Sequence, residues 1–498
     1  MEAQNVPHFD VLIIGAGLSG IGAGVHLQKR CPSKTYAILE GRESLGGTWD
    51  LFRYPGIRSD SDMYTLGYSF KPWTNAKAIA DGPAILDYIR ETAEEYGVDR
   101  KIRFGHRVTH ASWSSETARW TVDVSVNGAE ATQFTCGFFF ACAGYYDYDA
   151  GYTPSFEGVS SYAGKLVHPQ HWPADLDTKG KRIVVIGSGA TAVTLVPELA
   201  KEAAHVTMLQ RSPTYVVSLP EQDRVAQALQ SKLSSKSAYR ITRAKNVLRS
   251  MAFFSFSRRY PKQAKQYIVG EVKKALGDEL ATKHFTPTYN PWDQRVCVVP
   301  EGDLFRSVQE GRASIVTEHI ERFTETGLLL RSGEHLDADI IVTATGLQLK
   351  FLGGVTLDVD GRRIEPSETM TYKAMMLSDV PNLALSIGYT NASWTLKCDL
   401  TCEYVCRLLN HMDARGFQVC VPMRNKENVQ EVPLMDFSSG YVQRTIGSFP
   451  RQGSVAPWRV YQNYVLDRLA LRHAKLDDGV MQFSARETSR QSRKRGTR

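Results

Sequence analysis

Residues Gly15-Ala16-Gly17-Leu18-Ser19-Gly20 have the types and spacing to hold a diphosphate. In the pattern GxGxxG, glycines permit a tight turn and let backbone N–H groups reach a pyrophosphate at a helix start. The pattern is weak alone. Here an apolar run at 9–15 leads into it, and Glu40 closes the next apolar run, where a carboxylate can accept bonds from ribose hydroxyls. Gly187-Ser188-Gly189-Ala190-Thr191-Ala192 repeats the arrangement with Ala in the third position. Its following run ends in Gln210-Arg211-Ser212 instead of an acid. A carboxylate there would repel a 2′-phosphate, whereas a guanidinium and a hydroxyl grip one. An acid at one site and an arginine at the other point to FAD in the first and NADPH in the second. Such cofactors carry the redox chemistry, and the protein orients them.

The elements that must position these residues follow from apolar periodicity. A strand is predicted at 9–15, a helix through about residue 30, and a strand at 35–40. The same order returns as a strand at 182–187, a helix through about 203 and a strand at 205–210. Alternating polar and apolar residues predict a strand at 113–126, with another at 134–144; the pair at 327–330 and 340–346 mirrors them. Residues 221–285 are rich in Lys, Arg, Ala and Leu and poor in glycine, which predicts a helical insertion. The expected fold class is α/β, with two Rossmann-like dinucleotide-binding domains and that insertion. The expected division is an FAD-binding domain over 1–150 and 335–485, an NADP-binding domain over 151–334, and a basic disordered tail over 486–498.

A chain of 498 residues exceeds one hydrophobic core, so two or three domains are expected. Hydrophobic residues at 42% and charged residues at 23% are ordinary for a soluble protein. No apolar run approaches the roughly 20 residues of a spanning helix, and no signal peptide is evident, so a cytoplasmic location is expected. The eight cysteines include no Cys-x-x-Cys pair, which argues against a disulfide scaffold. Cys398, Cys402 and Cys406, four apart, read as one buried helix face and not as a metal site. Of the net charge of +7, the tail supplies most, and no aromatic residue interleaves with its charges, so no nucleic-acid partner is expected. The basic stretch 240–259 is expected to pack over the active site, with peripheral contact to a membrane surface as the alternative.

Two further runs are too specific for generic loops. Residues 46–60 read Gly46-Gly47-Thr48-Trp49-Asp50-Leu51-Phe52-Arg53-Tyr54-Pro55-Gly56-Ile57-Arg58-Ser59-Asp60. Residues 162–173 read Tyr162-Ala163-Gly164-Lys165-Leu166-Val167-His168-Pro169-Gln170-His171-Trp172-Pro173. Together they resemble the two fingerprints of type I Baeyer–Villiger monooxygenases, GGTW…RYPG…D and FxGxxxHxxxWP, with Tyr162 where Phe is usual. The Trp172-Pro173 ending separates the chain from related flavin-containing monooxygenases and N-hydroxylases. Residues 293–297, 300–305 and 389–397 are similar to the subgroup that holds the mycobacterial ethionamide-activating monooxygenase. The resemblance runs from about residue 10 to residue 480.

The resemblance implies oxidation of ketones to esters or lactones by FAD, NADPH and O2 through a flavin C4a-peroxide, with sulfur in thioethers and thioamides also oxidised. It implies that Arg295 stabilises the developing negative charge and that Asp60 orients Arg295 and tunes the nicotinamide. Gln294 stands where many relatives carry a lysine, which shifts the 2′-phosphate onto Arg211. By similarity, Ser19, Thr48, Trp49, Asp50 and the backbone near Val108 contact FAD, and Arg58, Ser59, Thr191 and Ser212 contact NADP. His168 is expected to be structural. The stretches 141–144 and 343–346 fit strand-ending motifs where the two folds meet. The alternative is a monooxygenase restricted to nitrogen and sulfur oxidation. A disulfide reductase is disfavoured, because its redox cysteine pair is absent. The substrate itself and the oligomeric state are not legible.

Overall fold

The computed structural model describes residues 6–424, 429–435 and 437–485. The basic tail at 486–498 lies outside them. The strand His8–Ile14 carries a wholly buried run at 11–14 and pairs in parallel with Tyr36–Leu39 and Glu130–Ala141. A strand covered on both faces requires such a continuous apolar run. The helix Leu18–Arg30 follows, its start bent close to the sheet by Gly15 at φ +98°, where an added Cβ would lie 2.8 Å from the Cys142 carbonyl oxygen.

These strands belong to a nine-stranded sheet that runs Arg362–Ile364, Thr356–Val359, His106–Ser114, Arg119–Val126, Glu130–Ala141, His8–Ile14, Tyr36–Leu39, Ile102–Arg103, with Leu383–Leu385 also against Glu130–Ala141. The single strand predicted at 113–126 is instead the turn and second arm of a hairpin. The chain reverses after Ser114, Ala118 takes a left-handed φ of 49°, and Trp113 pairs with Trp120 across the two arms. Both arms put their apolar residues on one face, so the period-two alternation runs through the turn and hides it.

The second sheet is five-stranded and parallel, in the order Ala313–Thr317, His205–Gln210, Arg182–Ile186, Ile340–Thr343, Lys165–Val167. Ile340–Thr343 is buried throughout and finds its neighbours only here. The chain therefore returns to the first sheet after residue 343, later than the boundary expected at 334. Gly187 (φ +140°) ends Arg182–Ile186 as Gly15 ends the first strand; its Cβ would meet the Ala344 carbonyl oxygen at 2.3 Å. An antiparallel ribbon, Tyr146–Gly151 against Leu347–Leu349, carries the chain out of the first sheet and back. Four helices, Arg224–Gln230, Ser235–Arg259, Pro261–Leu276 and Asp278–His284, fill the insertion. Among the described residues no helix is long and apolar enough to cross a membrane.

Candidate active site

The starts of both fingerprint helices open on one cavity of about 240 Å³, lined by Gly17 and Ser19 from one and Ala190 and Thr194 from the other. The loop 46–60 closes it with Gly47, Thr48, Trp49, Arg58, Ser59 and Asp60, and Arg295 and Trp394 complete it. A larger cavity of about 970 Å³ adjoins it, and the two share Asp60, Ser61, Arg295 and Ala392. The larger one runs beneath the insertion helices and is walled by Phe253, Ile268, Trp292 and Val298.

Arg295 stands at the junction. Its Nε is buried and has no hydrogen-bond partner. Burial alone lowers its pKa, but Tyr145, Tyr441, Tyr146 and Asp60 outweigh burial, and the group stays charged. Tyr441 is hydrogen-bonded to Arg295 and is itself pushed up to about 12 by burial. The Tyr145 and Tyr146 hydroxyls meet at 3.2 Å, and the Tyr145 ring lies 5.1 Å from that of Trp394. Burial lifts the Asp60 carboxyl above its usual range against the pull of Arg295 and Arg58. Asp60 and Arg295 thus feel each other across the cavity, yet they form no ion pair. The arrangement is a fixed positive charge with a spare donor, among phenols, at the meeting of two cavities.

The other expected residues divide by placement. Gly15, Gly17 and Gly20 shape the first turn, and Glu40 is buried beneath it, accepting from Ala16 N at 2.7 Å and Arg42 N at 3.0 Å. Ser19 Oγ accepts from Trp394 Nε1 at 2.9 Å. Thr48 meets the Tyr148 hydroxyl at 3.5 Å. Asp50 is fully buried away from the cavity, its oxygens taken by Ser44, Arg42 (2.8 Å) and Arg53 (2.9 Å), so it anchors the loop that carries Thr48 and Trp49. Val108 packs its side chain in the core behind the first sheet. Arg58 lines the cavity but is paired with Asp303 at 2.5 Å, with its Nε unpartnered. Ser59 Oγ accepts from Ser61 N.

At the second fingerprint, Gly189 caps the helix Ala190–Leu199, Thr191 bonds the Tyr54 hydroxyl, and Ala192 is buried in the core. Ser188 Oγ donates to the Ser212 carbonyl at 3.3 Å. Arg211 and Ser212 lie exposed at the end of His205–Gln210, outside the cavity lining, and Arg211 forms no ion pair with any described residue. His168 lies in the second fingerprint away from both cavities, its Nδ1 accepting from Gln170 N. Sequence reasoning missed Tyr145, Tyr146 and Tyr441. The run Tyr145-Tyr146-Asp147-Tyr148 after a strand-ending glycine was a usable signal; Tyr441 offered none, being some 150 positions from Arg295.

Two dinucleotide folds that present their helix starts to one cavity define the class of two-nucleotide flavoproteins. The flavin-binding monooxygenase-like family matches residues 78–392, and the NAD(P)-binding Rossmann-like domain matches residues 13–81. The FAD-containing monooxygenase EthA of Mycobacterium tuberculosis is 54% identical over 481 residues, which cover 96% of this chain and 98% of that protein. The chain belongs to the flavin-binding monooxygenase-like family and is a flavoprotein monooxygenase, in keeping with the mycobacterial resemblance read from the sequence. Among solved structures, OTEMO in complex with FAD and NADP superposes with a TM-score of 0.74 at 21% identity, covering 96% of this chain and 100% of that one. An open structure of cyclohexanone monooxygenase does so at 0.75 and 19%, with the same coverage. These likenesses establish the shared fold.

Proposed function

We propose that the protein is a Baeyer–Villiger monooxygenase that uses FAD, NADPH and molecular oxygen to turn ketones into esters or lactones, and that it also oxidises sulfur in thioethers and thioamides. The observation that carries this reading is Arg295, a buried permanent cation with an unpartnered donor where the two cavities join. The cavity fits a flavin nucleotide: glycines open the helix start, and Thr48, Trp49 and Ser19 line the space beyond it. Glu40 would hold the adenosine ribose, and Asp50 acts through the loop it anchors. Val108 would contribute backbone only. Gly187, Ser188, Gly189 and Thr191 would receive the second nucleotide, with Arg211 and Ser212 on its 2′-phosphate and Arg58 and Ser59 toward its nicotinamide end.

FAD and NADPH supply the electrons and activate the oxygen when bound. Arg295 then faces the negative charge that develops on the reacting oxygens, and it needs no reorganisation to do so. Asp60 acts on that guanidinium by charge across the cavity, Tyr441 is hydrogen-bonded to it, and the surrounding tyrosines and Trp394 exclude water. The larger cavity takes the substrate. The nucleotide units we assign are 1–150 with the chain after residue 343 for FAD, and 151–343 for NADP.

A product assay tests this. With NADPH, a ketone panel, one thioether and labelled dioxygen, mass spectrometry is expected to show an ester or lactone carrying one labelled oxygen. Arg295→Ala is expected to bind FAD and consume NADPH but to lose ester formation by about 10²–10³-fold, releasing hydrogen peroxide instead. Retained lactone production would remove Arg295 from this role, and sulfoxide as the sole product would place the protein among heteroatom oxidisers.

A further inference from the structure

The helix Ser235–Arg259 has two working faces. Asn246, Arg249, Ser250 and Phe253, at helical spacing, line the larger cavity. On the opposite side Ile241, Ala244, Leu248 and Ala252 form a stripe that points outward. Leu248 is 60% exposed and Ile241 49% exposed. Apolar side chains set at the spacing of one helix face and left open to solvent mark a contact surface.

Charge indicates what the surface contacts. The helix contains seven basic residues and no acidic one. Arg243, Lys245 and Arg258 are paired with Asp399, Asp223 and Asp293, the first of these pairs in the interior. Lys236, Arg240, Arg249 and Arg259 are exposed and form no ion pair with any described residue; Arg240 and Arg259 flank the stripe at helical spacing. The short helix Tyr464–Arg472 extends the surface. Tyr464 packs against the cluster of Val247 and Met251, while Val465, Leu466 and Leu469 stay exposed next to Arg468.

We propose that this face docks the protein on an anionic lipid bilayer. The aliphatic stripe enters the boundary between headgroups and acyl chains, and the unpaired cations meet lipid phosphates. The same helix would then separate the bilayer from the larger cavity, so that apolar substrate crosses one helix to reach Arg295. This last step rests on the cavity's assignment to substrate; the docking does not.

The FAD-loaded full chain would be sedimented with vesicles of phosphatidylcholine alone and with about 30% phosphatidylglycerol. Binding to the anionic vesicles is expected, at least about tenfold weaker to neutral ones and weakened by salt. Leu248→Glu and the pair Arg240→Glu with Arg259→Glu should each lower binding about tenfold or more, with turnover of a water-soluble ketone in vesicle-free buffer unchanged. Absence of binding to anionic vesicles overturns the proposal, as does equal binding by the variants. So does a wild-type dimer that Leu248→Glu converts to a monomer without any lipid binding, which would make the face an interface between two copies. Because vesicle binding needs no catalysis, its failure is distinct from failure of the ketone assay.

Discussion

A guanidinium stays charged where a lysine would lose its proton, and this suits Arg295 to a buried place with no carboxylate against it. Arg211 is the opposite case: exposed, without an ion pair, at the end of its strand. Removing it should cost the charge-assisted bonds to a 2′-phosphate and little else. Arg211→Ala is expected to raise the KM for NADPH about 10–100-fold and to leave that for NADH within about twofold. Equal losses with both nucleotides would show that Arg211 does not read the phosphate. These residues were legible to different depths. Arg211 follows from the grammar of the second fingerprint, whereas Arg295 and Asp60 were readable only through resemblance, since neither sits in a pattern with a physical meaning of its own. The phenols around Arg295 were hidden because proximity in space leaves no trace in spacing along the chain. For Asp50, expected to contact FAD, sequence does not reveal that Ser44, Arg42 and Arg53 bond its carboxylate.

At the scale of elements, the helix Trp394–Arg415 ties the site to the core. Trp394 at its start lines the smaller cavity, and one turn later Lys397 is buried against Asp467 at 3.0 Å. Burial lowers the pKa of Lys397, and Asp467 beside it pulls the other way. The same carboxylate accepts from the Tyr389 hydroxyl at 2.6 Å, and Tyr389 also lines that cavity. Asp467→Ala would strand an ammonium and a phenol in the interior. A loss of about 3–5 kcal/mol in urea unfolding is expected, most of it recovered by adding Lys397→Met. If the double variant is no better than the single one, the loss comes from packing and not from the unpaired charge. The helix's buried cysteine face was legible from its four-residue spacing. The hairpin at 106–126 was not, because alternation continued across its turn.

For the whole molecule, both sheets contribute walls to one cavity, so nucleotides should hold the two units together. NADP+ at about 100 times its Kd is expected to add about 2.7 kcal/mol to the unfolding free energy. Arg211→Ala should reach the same gain only at proportionally higher nucleotide. Absence of any gain at saturation would place the binding outside the folded sheet. The two-sheet architecture was readable because each half repeats strand, glycines, helix and strand. At its seam, Ile340–Thr343 is a plain apolar run that by sequence would suit either sheet, and it pairs in the second. The ribbon at that seam has one more consequence. Gly151 and Leu347 are paired neighbours, so the long segment between them leaves and re-enters at a single point. Topologically the second unit is a guest seated inside its host, and a short linker could replace it without stretching the host chain. What holds the guest in place beyond that point is its insertion, whose Ala226 and Tyr239 seat in the host's core and whose Arg243 bonds the carbonyls of Tyr64, Thr65 and Gly67.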